Sequence, residues 1–143
     1  MRYALGFVVL CLAIAGCSKP GIVGKWKGSG PGGNGEIITE FKGDNTHSST
    51  ITASQGGVEL VITSSGTYKA EAEKITMTIT DFKIDESKLD AQTKKLMPLI
   101  KTALDEQKNK PSEGTFKLED DGNSLNITGA AAAGMVGKFT RVK

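Results

Sequence analysis

Histidine and tryptophan each occur once in the 143 residues, cysteine twice and proline four times, and 18 basic side chains nearly cancel 16 acidic ones. Each scarcity excludes something. One imidazole and two thiols cannot assemble the four nitrogen and sulfur ligands of a structural zinc site. Without a block of Lys and Arg there is no electrostatic footprint for nucleic acid, since phosphate binding needs clustered cations that displace counterions. No apolar run reaches the roughly 20 residues that a membrane-spanning helix requires. His47 has Asp44, Ser48 and Ser49 nearby in sequence. Neighbours in an extended chain point to opposite faces, however, so His47 and Ser48 do not make the base and nucleophile of a hydrolase. His47 reads as a solvated histidine in a turn-rich stretch. No catalytic residue, metal or cofactor is expected, and the chain reads as non-enzymatic.

The charged and glycine-rich clusters that do occur read as turns. Asp81, Asp85 and Glu86, and again Glu119, Asp120 and Asp121, lack the spacing of an EF-hand calcium loop. Residues 28–33 spell G-x-G-x-x-G, but that motif cradles phosphate only where a strand leads into a helix, and here a strand follows. A chain of this length supports one domain with its own core.

At the amino end Arg2 precedes an apolar run from Tyr3 to Ala13, the layout of an export signal. The run leads into Ile14-Ala15-Gly16-Cys17, which resembles the lipobox of bacterial lipoproteins. The resemblance implies diacylation of the Cys17 thiol, cleavage before Cys17 and acylation of the new amine. Residues 1–16 are then a removed signal peptide, 17–23 the lipidated cysteine and its tether, and 24–143 the folded domain. A plain secretory signal cut after Ala15 or Gly16 is the alternative and leaves Cys17 a free thiol. Each buried acyl CH₂ contributes about 0.8 kcal/mol, and two or more chains anchor stably where one does not. The lipobox therefore implies an exported protein held to the membrane of the bacterial cell envelope through acylated Cys17. Ser18, standing where an Asp would retain the protein, implies the outer membrane if the source has two. Cys11 falls within the removed segment, so the mature chain keeps one Cys and no internal disulfide.

Beyond the tether the dominant signal is alternation. In Lys74 to Thr80 apolar residues fall on every second position with Thr between them, which makes a strand with one face in a core. Similar stretches are 36–42, 48–54, 58–64, 67–72, 113–119, 124–128 and 136–142, with a first strand opening at Gly24. The punctuation between them, including Gly43-Asp44-Asn45, Gly56-Gly57, Ser65-Gly66 and Asp120 to Asn123, is turn chemistry. The expected fold is mainly β, an antiparallel meander of about eight strands closed into a barrel or folded into a sandwich, because either arrangement protects open edges. Residues 87–109 break the pattern. Leu89, Leu96, Met97, Ile100, Ala103 and Leu104 recur at helical spacing. Ser87 is the expected N-cap, and Pro98 is expected either to kink a single helix or, the preferred reading, to divide the segment into two helical pieces.

Gly24-Lys25-Trp26 near the start and Phe139-Thr140-Arg141-Val142 at the end resemble the calycin pattern of lipocalins and fatty-acid-binding proteins. So does the rhythm of Phe41-Lys42-Gly43-Asp44-Asn45-Thr46 and Gly66-Thr67-Tyr68-Lys69, which is similar to that of small lipocalin-like bacterial lipoproteins. The resemblance implies that Trp26 plugs one barrel end and Arg141 covers it. The helix lies elsewhere than in lipocalins, between strands rather than after the last one. An eight-stranded barrel is either filled by side chains or holds one small ligand. The expected lining is Ile38, Ile51, Leu60, Ile62, Tyr68, Ile75, Met77, Ile79, Phe116, Leu118, Leu125 and Ile127, with the helix as a lid burying Leu96, Ile100 and Leu104. The leading expectation is a small lipophilic ligand inside the barrel. The alternative is a filled barrel serving as a structural or interaction module. In that case the lysines of the 87–109 helix, Lys88, Lys94, Lys95, Lys101 and Lys108, would face an envelope protein or an anionic surface.

Overall fold

A computed structural model describes residues 21–30, 33, 35–55, 57–129 and 135–143. Cys17, the segment before it and residues 18–20 lie outside the described residues, as do 130–134. The elements follow in the order β1 (Gly24–Ser29), β2 (Gly35–Phe41), β3 (Thr46–Gln55), β4 (Val58–Glu71), β5 (Lys74–Asp85), α1 (Ala91–Gln107), β6 (Pro111–Glu119), β7 (Ser124–Thr128) and β8 (Gly137–Arg141). One turn of 3-10 helix, Asp120–Gly122, joins β6 to β7. Each strand pairs antiparallel with the next, and β8 returns to β1, so the eight strands form a closed barrel. Its helix enters before the last three strands.

Alternation explains which residues face inward. Along β5, Ile75, Met77 and Ile79 are buried while Thr76 and Thr78 keep contact with solvent. The β2–β3 turn shows how the reversals are made. Asn45 takes a positive φ of 64°, and the Asp44 carboxylate accepts from Thr46 N at 3.0 Å and Thr46 Oγ1 at 2.6 Å. Those two donors hold the Asp44 carboxyl below its ordinary pKa.

Ser65-Gly66 does not turn the chain. Strand β4 runs through it for 14 residues, with a register shift against β5 between the two positions. The expected stretches 58–64 and 67–72 are therefore one strand. Gly66 stands where the β5 backbone passes too close for a side chain, because a Cβ there would overlap the Thr78 carbonyl oxygen. Glycine here permits close approach at a bulge.

The helix forms as a single insertion, not two pieces, and its cap differs from expectation. It is one element of 17 residues running through Pro98, and its N-cap is Asp90, whose Oδ1 accepts from Thr93 N at 2.7 Å. Ser87 is engaged one turn earlier, donating its backbone N–H to Asp85 Oδ1 at 2.9 Å, which closes a turn at the end of β5. Pro98 removes one helical hydrogen bond without ending the helix, and Thr102 Oγ1 donates to the Pro98 carbonyl at 2.9 Å. Met97 is the buried helix residue; Ile100 and Leu104 are half-buried, and Leu96, expected beneath the lid, is 54% exposed. Spacings of three and four place Met97, Ile100 and Leu104 on one face and turn Leu96 off it.

Candidate functional site

The end of the barrel nearest residues 21–23 is closed by an indole and a guanidinium. Trp26 on β1 has 0% exposure, and its Nε1 donates to the Ile22 carbonyl at 2.7 Å. Arg141, its register partner on β8, lies with Cζ 4.2 Å from the indole centroid. The same guanidinium donates from Nε to the Gly122 carbonyl at 2.8 Å, from Nη1 to Val23 at 2.8 Å and from Nη2 to Gly21 at 2.9 Å. Gly24 makes the space: its φ is 136°, and a Cβ there would press on Arg141 Nη1. One cation thus satisfies three carbonyls and covers the ring, an arrangement in which cation–π attraction contributes roughly 0.5–2 kcal/mol. It also ties residues 21–23, the segment arriving from Cys17, to the last strand.

The interior is polar on one side. Thr39, Ser49 and Ser64 are direct register partners across β2, β3 and β4, and all three are buried. The Thr39 and Ser49 hydroxyls lie 2.8 Å apart, and Met135 Sδ lies 3.4 Å from the first and 3.2 Å from the second. One hydroxyl can donate to the other while the second proton goes to the sulfur, so both are satisfied. Met135, just before β8, has no exposure and packs into the interior against Thr39, the cross-strand partner of Trp26.

Of the expected lining residues, Tyr68, Ile75, Met77, Ile79, Leu125 and Ile127 are buried in the core, and Ile51, Phe116 and Leu118 are half-buried against it. Leu60 and Ile62 are half-buried on β4. Ile38 is a correction. It lies on the outer face of β2 beside Lys25, Glu40, Ser48 and Thr50, while Ile37, Thr39 and Phe41 point inward. Two adjacent isoleucines leave the phase of β2 open, but Glu36, Glu40 and Phe41 settle it: the two carboxylates share the outer face with Ile38. Ile37, Thr39, Phe41, Ser49, Ser64, Met135 and Phe139 also line the interior and lie outside the expected set. The hydroxyls resemble surface residues by type, and Met135 follows an alanine run with no periodicity.

His47 is also a correction. It is 2% exposed, on the inner face of β3, and neither ring nitrogen has a hydrogen-bond partner among the described residues. The turn before it is confined to residues 43–45, so the strand alternation reaches His47 and carries it inward with Ser49, while Ser48 faces out. Burial pushes its pKa below the ordinary 6.5; the nearby Thr78 backbone opposes this more weakly, without hydrogen-bond geometry. The folded state therefore resists protonation that the unfolded chain accepts. Stability is complete above pH 6.5 and declines as the pH falls below it, down to the depressed folded-state value. Urea unfolding between pH 7.5 and 5.5 should show this decline, and His47→Leu should flatten it.

A groove whose walls include inward-facing residues lies at the barrel end near residues 21–23. It measures about 460 Å³ and is lined by Ile22, Tyr68, Ala70, Phe116 and Leu118, among others. Tyr68 is fixed at its edge by a hydrogen bond from its hydroxyl to the Lys42 carbonyl at 2.8 Å and by an edge-on contact with Phe41, 4.8 Å between centroids. No protein-family model matches the chain, and neither does any curated protein. Among the described residues no three His, Cys, Asp or Glu side chains converge as a metal site, and no helix is long and apolar enough to cross a membrane.

Proposed function

We propose that the protein is an exported lipoprotein, anchored to the cell envelope through acylated Cys17, with a lipocalin-like barrel that is non-catalytic and filled by its own side chains. Its work is then structural or interactive. The observation that carries this reading is the packing of the interior: Trp26, Phe41, Ile75, Met77, Leu125, Ile127, Met135 and Phe139 are all buried against one another. A barrel of eight strands is just wide enough for such a filling. The reading as a non-enzyme is supported by the position of the one imidazole, sealed inside a strand with no hydroxyl bonded to it. The clasp of Arg141 on residues 21–23 suits an anchored protein, because it couples the tether to the final strand.

A second reading, a carrier of a small lipophilic ligand, is favoured by the apolar groove at the tether end. Titration of the chain from residue 17 onward, carrying Cys17→Ser, with the fluorescent probe 1-anilinonaphthalene-8-sulfonate separates the two. The filled-barrel reading expects no saturable one-to-one site. A one-to-one site abolished by Ala70→Trp would replace it with the carrier.

A further inference from the structure

We infer that α1 is a releasable strap over an open strand edge of the barrel, and that the edge beneath it pairs with the same edge of a second copy of this chain once the strap lifts. Strand β5 outruns its neighbour. Its pairing with β4 continues to Asp85, but its pairing with β6 ends at Thr78, and the last bond on that side is Asn109 N to the Ile79 carbonyl at 2.8 Å. Residues 80–85 therefore have no strand on that side among the described residues. An unpaired edge is a template for another chain unless something covers it.

The cover is α1 with its C-cap, Lys108. Phe82 and Ile84, half-buried on the barrel side of β5, line a groove with Lys101, Leu104 and Asp105 of the helix. Asp81 points to the other side of the strand, and Lys108 reaches it at 3.6 Å. A segment that touches both sides of β5 straddles its edge. The hold is weak. Met97 is the one buried side chain of α1, Leu96 and Leu99 are exposed, and Pro98 removes a hydrogen bond midway. The other fastenings include ion pairs, Lys88 with Glu59 at 2.6 Å, Lys101 with Glu86 at 2.5 Å and Lys108 with Asp81. Exposed pairs of this kind contribute little and are screened by salt.

The charges along the edge favour a second copy as its occupant. Asp81, Lys83 and Asp85 are exposed and alternate in sign, and Lys83 makes no ion pair among the described residues. Antiparallel pairing about a two-fold axis at Phe82 sets Asp81 of each copy opposite Lys83 of the other, with Phe82 against Phe82. Lys108 holds the carboxylate that Lys83 of a second copy would take. Strap and second copy thus compete for Asp81.

The test applies hydrogen exchange and sedimentation velocity to the chain from residue 17 onward with Cys17→Ser, which holds every described element and no acyl group. Residues 91–107 should exchange at least tenfold faster than β1 and β8, in a chain that sediments as a monomer. Lys88→Gln with Lys101→Gln and Lys108→Gln should speed exchange of the helix about tenfold further, leave β1 and β8 unchanged and produce a dimer. Adding Lys83→Glu should restore the monomer without slowing that exchange. A helix as protected as β1 and β8 overturns the inference, as does a triple variant that stays monomeric or one whose dimer survives Lys83→Glu. Should the triple variant lose protection in β1 and β8 as well, the milder Lys101→Gln with Lys108→Gln is read by the same outcomes.

Discussion

Gly66→Ala is expected to destabilise the barrel by about 3 kcal/mol, the upper range for forcing extra volume into a packed site. The added methyl would overlap the Thr78 carbonyl oxygen, with Ile79 Cα close behind it. Both neighbours are backbone of β5, so no side chain can rotate away. Relief requires β4 and β5 to separate at the bulge, beside the register that joins Gly66 to Ile79 and Thr67 to Thr78. Guanidinium unfolding should show a lower midpoint with a similar slope, since the folded state still buries the same surface. Gly43→Ala is the control. Its added Cβ would meet nothing nearby, and stability should change by a few tenths of a kcal/mol at most.

Trp26→Ala is expected to cost about 3–5 kcal/mol, the range for deleting a large buried aromatic. The indole is fully enclosed, and its loss also frees the Ile22 carbonyl and the face under Arg141. Arg141→Lys should be nearly as informative. It keeps the charge but loses the planar fork that reaches the Gly122, Val23 and Gly21 carbonyls together. A double-mutant cycle between Trp26→Ala and Arg141→Ala should give a coupling energy of about 1 kcal/mol or more, as expected for groups in direct contact. Limited proteolysis should then cut at residues 21–23 in either variant and not in the parent, because those carbonyls are what the guanidinium holds.

Much of this fold is legible in the sequence, for a definite reason. Where strands alternate cleanly, as in Lys74 to Thr80, the period fixes both the element and its inner face. The places that resist such a reading are those governed by what lies across the barrel. Ser65-Gly66 looks like a turn until β5 is in position, and only then does the glycine become a point of close approach. The Ile37-Ile38 pair has no phase of its own; Phe41 and the flanking glutamates supply it. His47 has a polar local context, and its burial follows from a reversal one or two residues tighter than the turn-rich sequence suggests. Ser87 and Asp90 are both competent caps, and the choice falls to Asp90 because residues 86–90 stay outside the helix, with Ser87 donating its backbone N–H into a turn with Asp85. The clasp of Arg141 on residues 21–23 joins residues more than a hundred positions apart, and the Gly-x-Trp and final Arg point to it only through resemblance. The Met135 contact with Thr39 and Ser49 has no local sequence signal at all.

The proposed envelope role depends on the anchor and would lose its physical basis without it. The direct measurement is mass spectrometry of the amino-terminal peptide of the protein isolated from its own host. The expected result is a chain beginning at Cys17, with a thioether-linked diacylglycerol and an amide-linked acyl group. A free thiol at Cys17, or a mature chain beginning at any other residue, would contradict the account.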